Sequence, residues 1–210
     1  MCFSASASFA ASGSLGIFGI LILRKSKKDK DLLLATIPFI FATQQFIEGW
    51  LWVSMGRNSE LVMALTYAFL FFALFWWPAY VPLVCYYLEA DKARKNILQV
   101  LAWIGFLLGM YLYGNFIWHS VPATVVNKCI FYVNPLFKPI NLILFLFYAV
   151  VTVGALVISG KKIINLFGVL AGLLAAFSLW IYLKNFISVW CFFGALVSSV
   201  LYFYFLKREK

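Results

Sequence analysis

A chain of 210 residues that is 65% hydrophobic, 20% aromatic and only 11% charged is not a soluble globular domain. Such domains average about 45–50% apolar and about 25% charged residues. Disorder is excluded as well, because it requires low hydrophobicity. A polytopic membrane protein remains.

A spanning helix needs roughly 20 mostly apolar residues, at about 1.5 Å rise each, to cross about 30 Å of hydrocarbon. Seven stretches satisfy this: 5–23, 32–55, 61–88, 97–117, 139–159, 163–182 and 186–206. They use most of the chain, which predicts a single all-α transmembrane domain over 1–210. A β-barrel would show segments of about ten residues with alternating polarity, whereas Ala68 to Trp77 is continuously apolar.

Charge sets the expected orientation. All 17 lysines and arginines lie outside the proposed spans. Arg24, Lys25, Lys27, Lys28, Lys30, Lys92, Arg94, Lys95, Lys161, Lys162, Lys207, Arg208 and Lys210 fall on one side. The other side carries only Arg57, Lys128, Lys138 and Lys184. The positive-inside rule therefore places the C-terminus in the cytoplasm and the N-terminus outside. The net charge of +10 is mostly a topology signal, with the basic loops attracted to anionic lipid heads. Nucleic-acid binding would need a basic patch with a reading element. Met1 to Leu23 lacks the basic n-region of a cleaved secretory signal, so an uncleaved reverse signal anchor is expected.

Of seven acidic residues only Glu48 sits within a span, and an intramembrane ionisable residue is a functional hypothesis by default. Gln44 and Gln45 lie four and three residues before it on nearly the same helix face. Trp52 extends that face outward. Glu48 comes out in the outer leaflet, roughly 24 Å from the cytoplasmic start of its helix. The competing reading is a carboxylate that fixes helix register. Other reactive side chains are expected at the same level: Cys2, His119 (the sole histidine), Cys129 and Cys191. Thiolate, imidazole and carboxylate are the usual ligands of zinc, copper or iron, so Cys2, Glu48, His119 and Cys191 form a candidate metal or haem set. The alternative is a disulfide among the external cysteines, or cysteines acting as small hydrophobes.

Pro78 and Pro82 stand four residues apart in the third span. Proline removes a backbone donor and bends a helix, so this pair predicts a kink with freed carbonyls. Ser4, Ser6, Ser8, Ser12, Gly13, Ser14 and Gly16 fill the first span with small residues. Small residues permit close helix contact, which predicts a first span inside the bundle and Cys2 over its mouth.

The opening Met-Cys-Phe-Ser-Ala-Ser-Ala-Ser-Phe (1–9), with Gln-Gln-Phe-Ile-Glu-Gly-Trp (44–50), Phe-Trp-Trp-Pro-Ala-Tyr-Val-Pro (75–82) and Ser-Val-Trp-Cys-Phe-Phe-Gly-Ala-Leu (188–196), resembles an uncharacterised bacterial integral-membrane family. The blocks span nearly the whole chain. The resemblance implies a fold rather than a reaction, and a location in the bacterial inner membrane. It directs interest to Cys2, Gln44, Gln45, Glu48 and Cys191, which lie inside the blocks; His119 and Cys129 lie outside them.

Several activities are excluded by residue type. The last span has no lysine for a retinal Schiff base, and one histidine cannot supply bis-histidine haem or a three-histidine zinc site. No Gly-rich phosphate loop or intramembrane arginine series is present. Three classes remain. The favoured one is an outer-leaflet pocket that binds a transition metal or haem for a redox or sensory role, with a small-molecule ligand or redox partner. The others are a small-solute or ion transporter or receptor that uses Glu48, and a structural membrane subunit.

Overall fold

The computed structural model describes residues 4–25, 29–119, 121–126, 129–132 and 140–206. Helix dominates. Helix α1 covers Ala5–Lys25 and α2 covers Asp29–Ser54. Ser59–Leu70 (α3), a π-helical segment Phe71–Trp76 and Trp77–Leu88 (α4) follow one another without a break. Helix α5 runs Lys92–Trp118. Ile140–Ala149 (α6) passes through a second π-helical segment, Val150–Gly154, into Ala155–Ile158 (α7). Lys162–Tyr182 (α8), a 3₁₀ turn at Leu183–Asn185, Phe186–Ser198 (α9) and Leu201–Leu206 (α10) complete the described residues.

Among the described residues, five continuous runs are long and apolar enough to cross a membrane: Ala5–Arg24, Asp31–Ser54, Ser59–Leu88, Lys92–Trp118 and Lys162–Phe203. Ile143–Ile158 is a shorter apolar helix. The last of the long runs has 42 residues, about twice what one crossing needs. It folds back at the 3₁₀ turn, so that Trp190 of α9 donates its indole N–H to the Ala171 carbonyl of α8 at 3.2 Å.

The π segment before α4 has a local cause in Pro78, which has no N–H. The Trp77 N–H reaches back to the Phe72 carbonyl instead of that of Ala73. Continuing this register, Ala73 would need an N–H from residue 78. The Tyr148 hydroxyl supplies the donor, binding the Ala73 carbonyl at 2.6 Å. Pro82 likewise denies Pro78 its helical donor, and the Pro78 carbonyl faces α5 at Gly105. A Cβ there would stand 1.8 Å from the Pro78 oxygen. One turn later a Cβ on Gly109 would meet the Phe75 backbone at 2.9 Å. The spacing Gly105-x-x-x-Gly109 is the small-residue device that lets membrane helices approach closely.

Two expectations change. Helix α1 lies at the edge of the bundle, only 28% of its span window being buried against 56% for α2. A Cβ at Gly13 or Gly16 would meet nothing within 4 Å, whereas Gly19 packs on Phe39 of α2. Gly13 and Gly16 therefore make no close helix approach, and α1 packs mainly on α2, with smaller contacts to α9 and α10. The chain is also not purely helical. Ala123–Val126 (β1) pairs antiparallel with Cys129–Tyr132 (β2), Ala123 opposite Tyr132 and Val126 opposite Cys129. The short runs Ala-Thr-Val-Val and Cys-Ile-Phe-Tyr are rich in β-branched and aromatic residues, which suit a strand.

Two apolar cores fill the bundle. One joins Leu15, Leu34, Trp77, Val81, Leu98 and Phe167 with their neighbours. The other gathers Leu51, Phe69, Leu70, Phe116, Ile130 and Tyr132 beneath the hairpin.

Candidate functional site

Four elements, α2, α4, α9 and β2, bring polar groups together within this apolar interior. Gln44, Gln45 and Glu48 of α2 are each fully buried. Glu48 lies six residues before the end of α2, roughly 9 Å from it. Ser188, in the first turn of α9, donates its hydroxyl to Glu48 Oε1. Trp77 of α4 donates its indole N–H to Gln44 Oε1 at 2.7 Å and stacks on Phe41 with ring centroids 3.9 Å apart. Cys191 follows Ser188 by three residues, hence on the same face of α9, and is buried as well. From above, β2 lowers Tyr132, 2% exposed, with its ring stacked on Phe69 at 5.2 Å. Burial first, then the neighbouring Glu48 and Cys191, push the Tyr132 phenol well above its ordinary range.

The bonding in this cluster is incomplete. Glu48 Oε2, both amide atoms of Gln45, Gln44 Nε2, the Tyr132 hydroxyl and Trp52 Nε1 are buried without a well-aligned hydrogen-bond partner, although the Gln45 amide lies close to the Glu48 carboxylate and the Gln44 amide close to the Cys191 thiol. Buried polar atoms are paired in the large majority of cases, and an unpaired one calls for an unseen water, ion or ligand. Six such atoms on five residues, with both donors and acceptors among them, make a built polar centre. The orphaned acceptors are Glu48 Oε2 and Gln45 Oε1; the amide and indole nitrogens donate, and the phenol can do either.

An apolar cavity of about 60 Å³ adjoins the centre, bounded by residues that include Phe41, Trp77, Tyr148, Thr152, Leu156 and Cys191. Trp77 therefore touches both regions, with its ring on the cavity and its N–H on Gln44. A cavity with such walls suits an apolar group better than water. The second π segment contributes Thr152 to this wall, its hydroxyl turned back to the Tyr148 carbonyl at 2.8 Å. π-Helical turns inside α-helices are frequent at functional sites.

The four cofactor-binding candidates Gln44, Gln45, Glu48 and Trp52 thus share one neighbourhood, and Cys191 joins them. His119 does not. It is exposed at the C-terminal end of α5, with Nδ1 2.9 Å from the Asn115 carbonyl of its own helix. Cys2 lies outside the described residues. Cys129 is buried in β2. Among the described residues, no three histidine, cysteine or acidic side chains come together to hold a metal. Among the described residues, the donor set around Glu48 is rich in amides and hydroxyls rather than thiolates and imidazoles, which gives no support to a haem or a copper, zinc or iron site. Ser188, Trp77 and Tyr132 are members of the centre that the sequence pattern did not single out.

Fold and site together define a membrane-type helical protein with a closed, incompletely paired polar centre beside an apolar cavity. Its family is defined by sequence: a family of unknown function, DUF6629, matches residues 1–210, and the chain belongs to that family. No curated protein and no solved structure matches it.

Proposed function

We propose that this protein is a receptor or transporter for a small solute or ion in a bacterial inner membrane, with Glu48 as the group that receives the ligand. The observation that carries this reading is the set of orphaned atoms around Glu48 Oε2. A carboxylate and a glutamine carbonyl accept from a cationic or N–H-bearing head, while the surrounding N–H and O–H groups donate to its acceptors. The neighbouring cavity receives an apolar portion. A carboxylate kept only for helix register would be saturated by its neighbours, because each unpaired buried polar group costs about 1–3 kcal/mol.

Counting 162–182 and 186–206 as separate crossings gives seven spans with the N-terminus outside and the C-terminus in the cytoplasm. The excess of basic residues beside Asp91, Lys161 and the tail supports that orientation. The polar centre then opens toward the outer leaflet beneath the β1–β2 hairpin. Proton and sodium flux into liposomes, wild type against Glu48→Gln, tests the assignment. Glutamine keeps the size and one acceptor but cannot carry charge, so flux is lost. Elemental analysis and absorption spectra of the same preparation return a colourless protein without bound transition metal.

A further inference from the structure

The α4–α5 pair carries a second feature. Helices α4 and α5 are joined by the short link Glu89–Asp91 and run antiparallel. Their inward edges meet tightly at Pro78 and Gly105. On the outward side they part around Ala79 and Ala102, leaving a groove of about 580 Å³ walled by rings that include Trp76, Tyr80, Tyr86 and Trp103. On α5 the lining runs from Gln99 to Phe106, about 10 Å, and from Tyr86 of α4 to Phe75 of the π segment the groove extends about 16 Å, at 1.5 Å per residue. That is about half of the 30 Å hydrocarbon thickness, the depth of one leaflet.

The ends of the groove differ. Its far end is apolar, closed by Phe75 and Phe106 with ring centroids 5.7 Å apart. Its near end is basic. Lys95 Nζ sits 4.9 Å from the centre of the Tyr86 ring, which itself lines the groove. Lys92 precedes it by one turn on the same face. The nearby carboxylates are engaged elsewhere: Asp91 Oδ1 accepts from the Arg94 N–H at 2.9 Å, and Glu89 accepts from Ala90, Asp91 and Gly160. Gln99, an exposed amide lining the same groove, lies one turn beyond Lys95 and roughly 10 Å into α5. Cation, amide, then apolar slot is the order of groups along a phospholipid: phosphate, ester, acyl chain.

We propose that the α4–α5 groove binds one anionic phospholipid from the leaflet that faces the Glu89–Asp91 link. Its phosphate lies on Lys95 and Lys92, its ester level at Gln99, and an acyl chain between Ala79 and Ala102. This site is independent of the polar centre at Glu48.

The test uses the full chain, purified in detergent with phosphatidylglycerol and phosphatidylcholine in equal amounts, with retained lipid counted by native mass spectrometry. Wild type retains one phosphatidylglycerol per chain in preference to phosphatidylcholine. Lys95→Ala lowers retention about five-fold, the effect of one lysine at a membrane surface. Ala102→Phe, which fills the slot without touching charge, also lowers it. Lys162→Ala, basic and on the same side but outside the groove, leaves it unchanged. Thermal melts of each variant establish that it is folded. Equal retention of the two lipids, wild-type retention in Lys95→Ala or Ala102→Phe, or an equal loss in Lys162→Ala would overturn the proposal. Displacement of the lipid by millimolar inorganic phosphate would also overturn it, by reducing the site to one for a free anion.

Discussion

Ser188 of α9 donates its hydroxyl to the Glu48 carboxylate of α2 and so ties the two helices together. Alanine at 188 would leave Glu48 Oε1 as unpaired as Oε2 already is. A hydrogen bond to a charged or partly charged group is worth about 1.5–3 kcal/mol, so Ser188→Ala lowers the thermal midpoint in detergent by several degrees. Ser198→Ala serves as the comparison, because that hydroxyl only turns back to the Ala195 carbonyl of its own helix. Equal midpoints for the two variants would contradict the role given to Ser188. Glu48 and its two glutamines were legible in the chain, because an acid in an apolar run and its i−3 and i−4 amides form a pattern. Ser188 was not, since serine is ordinary in membrane helices and its partner lies 140 positions away. Tyr132 was hidden for another reason: the link between spans has no strong period to show that it folds inward.

At the element scale, prolines and glycines decide how the third and fourth rods fit. Pro78 and Pro82 predicted a bend with freed carbonyls, and the structure gives those carbonyls partners on other helices. The Ala73 oxygen takes the Tyr148 hydroxyl, and the Pro78 oxygen lies against Gly105. Tyr148→Phe strands the Ala73 carbonyl and is expected to cost about 1–3 kcal/mol. In a Pro78→Ala background the restored backbone N–H competes for the same region, and the cost of Tyr148→Phe falls. A double-mutant cycle on thermal or denaturant stability measures this coupling; strict additivity would contradict the explanation of the π segment. The helical elements were readable from apolar length alone. The hairpin Ala123–Tyr132 and the edge position of α1 were not, because small residues announce close contact without saying how many neighbours share it.

For the whole molecule, the end of the bundle opposite the polar centre is tied by Glu89. Its Oε2 accepts from the Gly160 N–H at 2.6 Å, across 71 positions of chain, joining the α4–α5 link to the α7–α8 link. Burial pushes this carboxyl upward, yet the backbone donors of Gly160, Asp91 and Ala90 and the charge of Arg94 outweigh it and hold the group below its ordinary value. A carboxyl so lowered binds fewer protons in the folded than in the unfolded state, so its stabilising contribution is present at neutral pH and fades as pH falls. The loss begins below the usual glutamate value of about 4.3. Thermal midpoints followed from pH 7 to pH 3 should therefore drop more steeply for wild type than for Glu89→Gln. Parallel curves would show that Glu89 does not carry the tie. The distribution of basic residues gives only an expected orientation, whereas this cross-link depends on two loops meeting in space.

On the proposed reading, the unpaired atoms around Glu48 receive a ligand. Proton and sodium flux in liposomes, with wild type and Glu48→Gln reconstituted at equal density and equal thermal stability, tests it most directly. Wild type is expected to show a gradient-driven flux that falls at least about tenfold in the variant, the consequence of losing about 1.4 kcal/mol or more of interaction at the carboxylate. Equal flux in the two preparations would contradict it, and would leave Glu48 as a residue that holds α2 to α9.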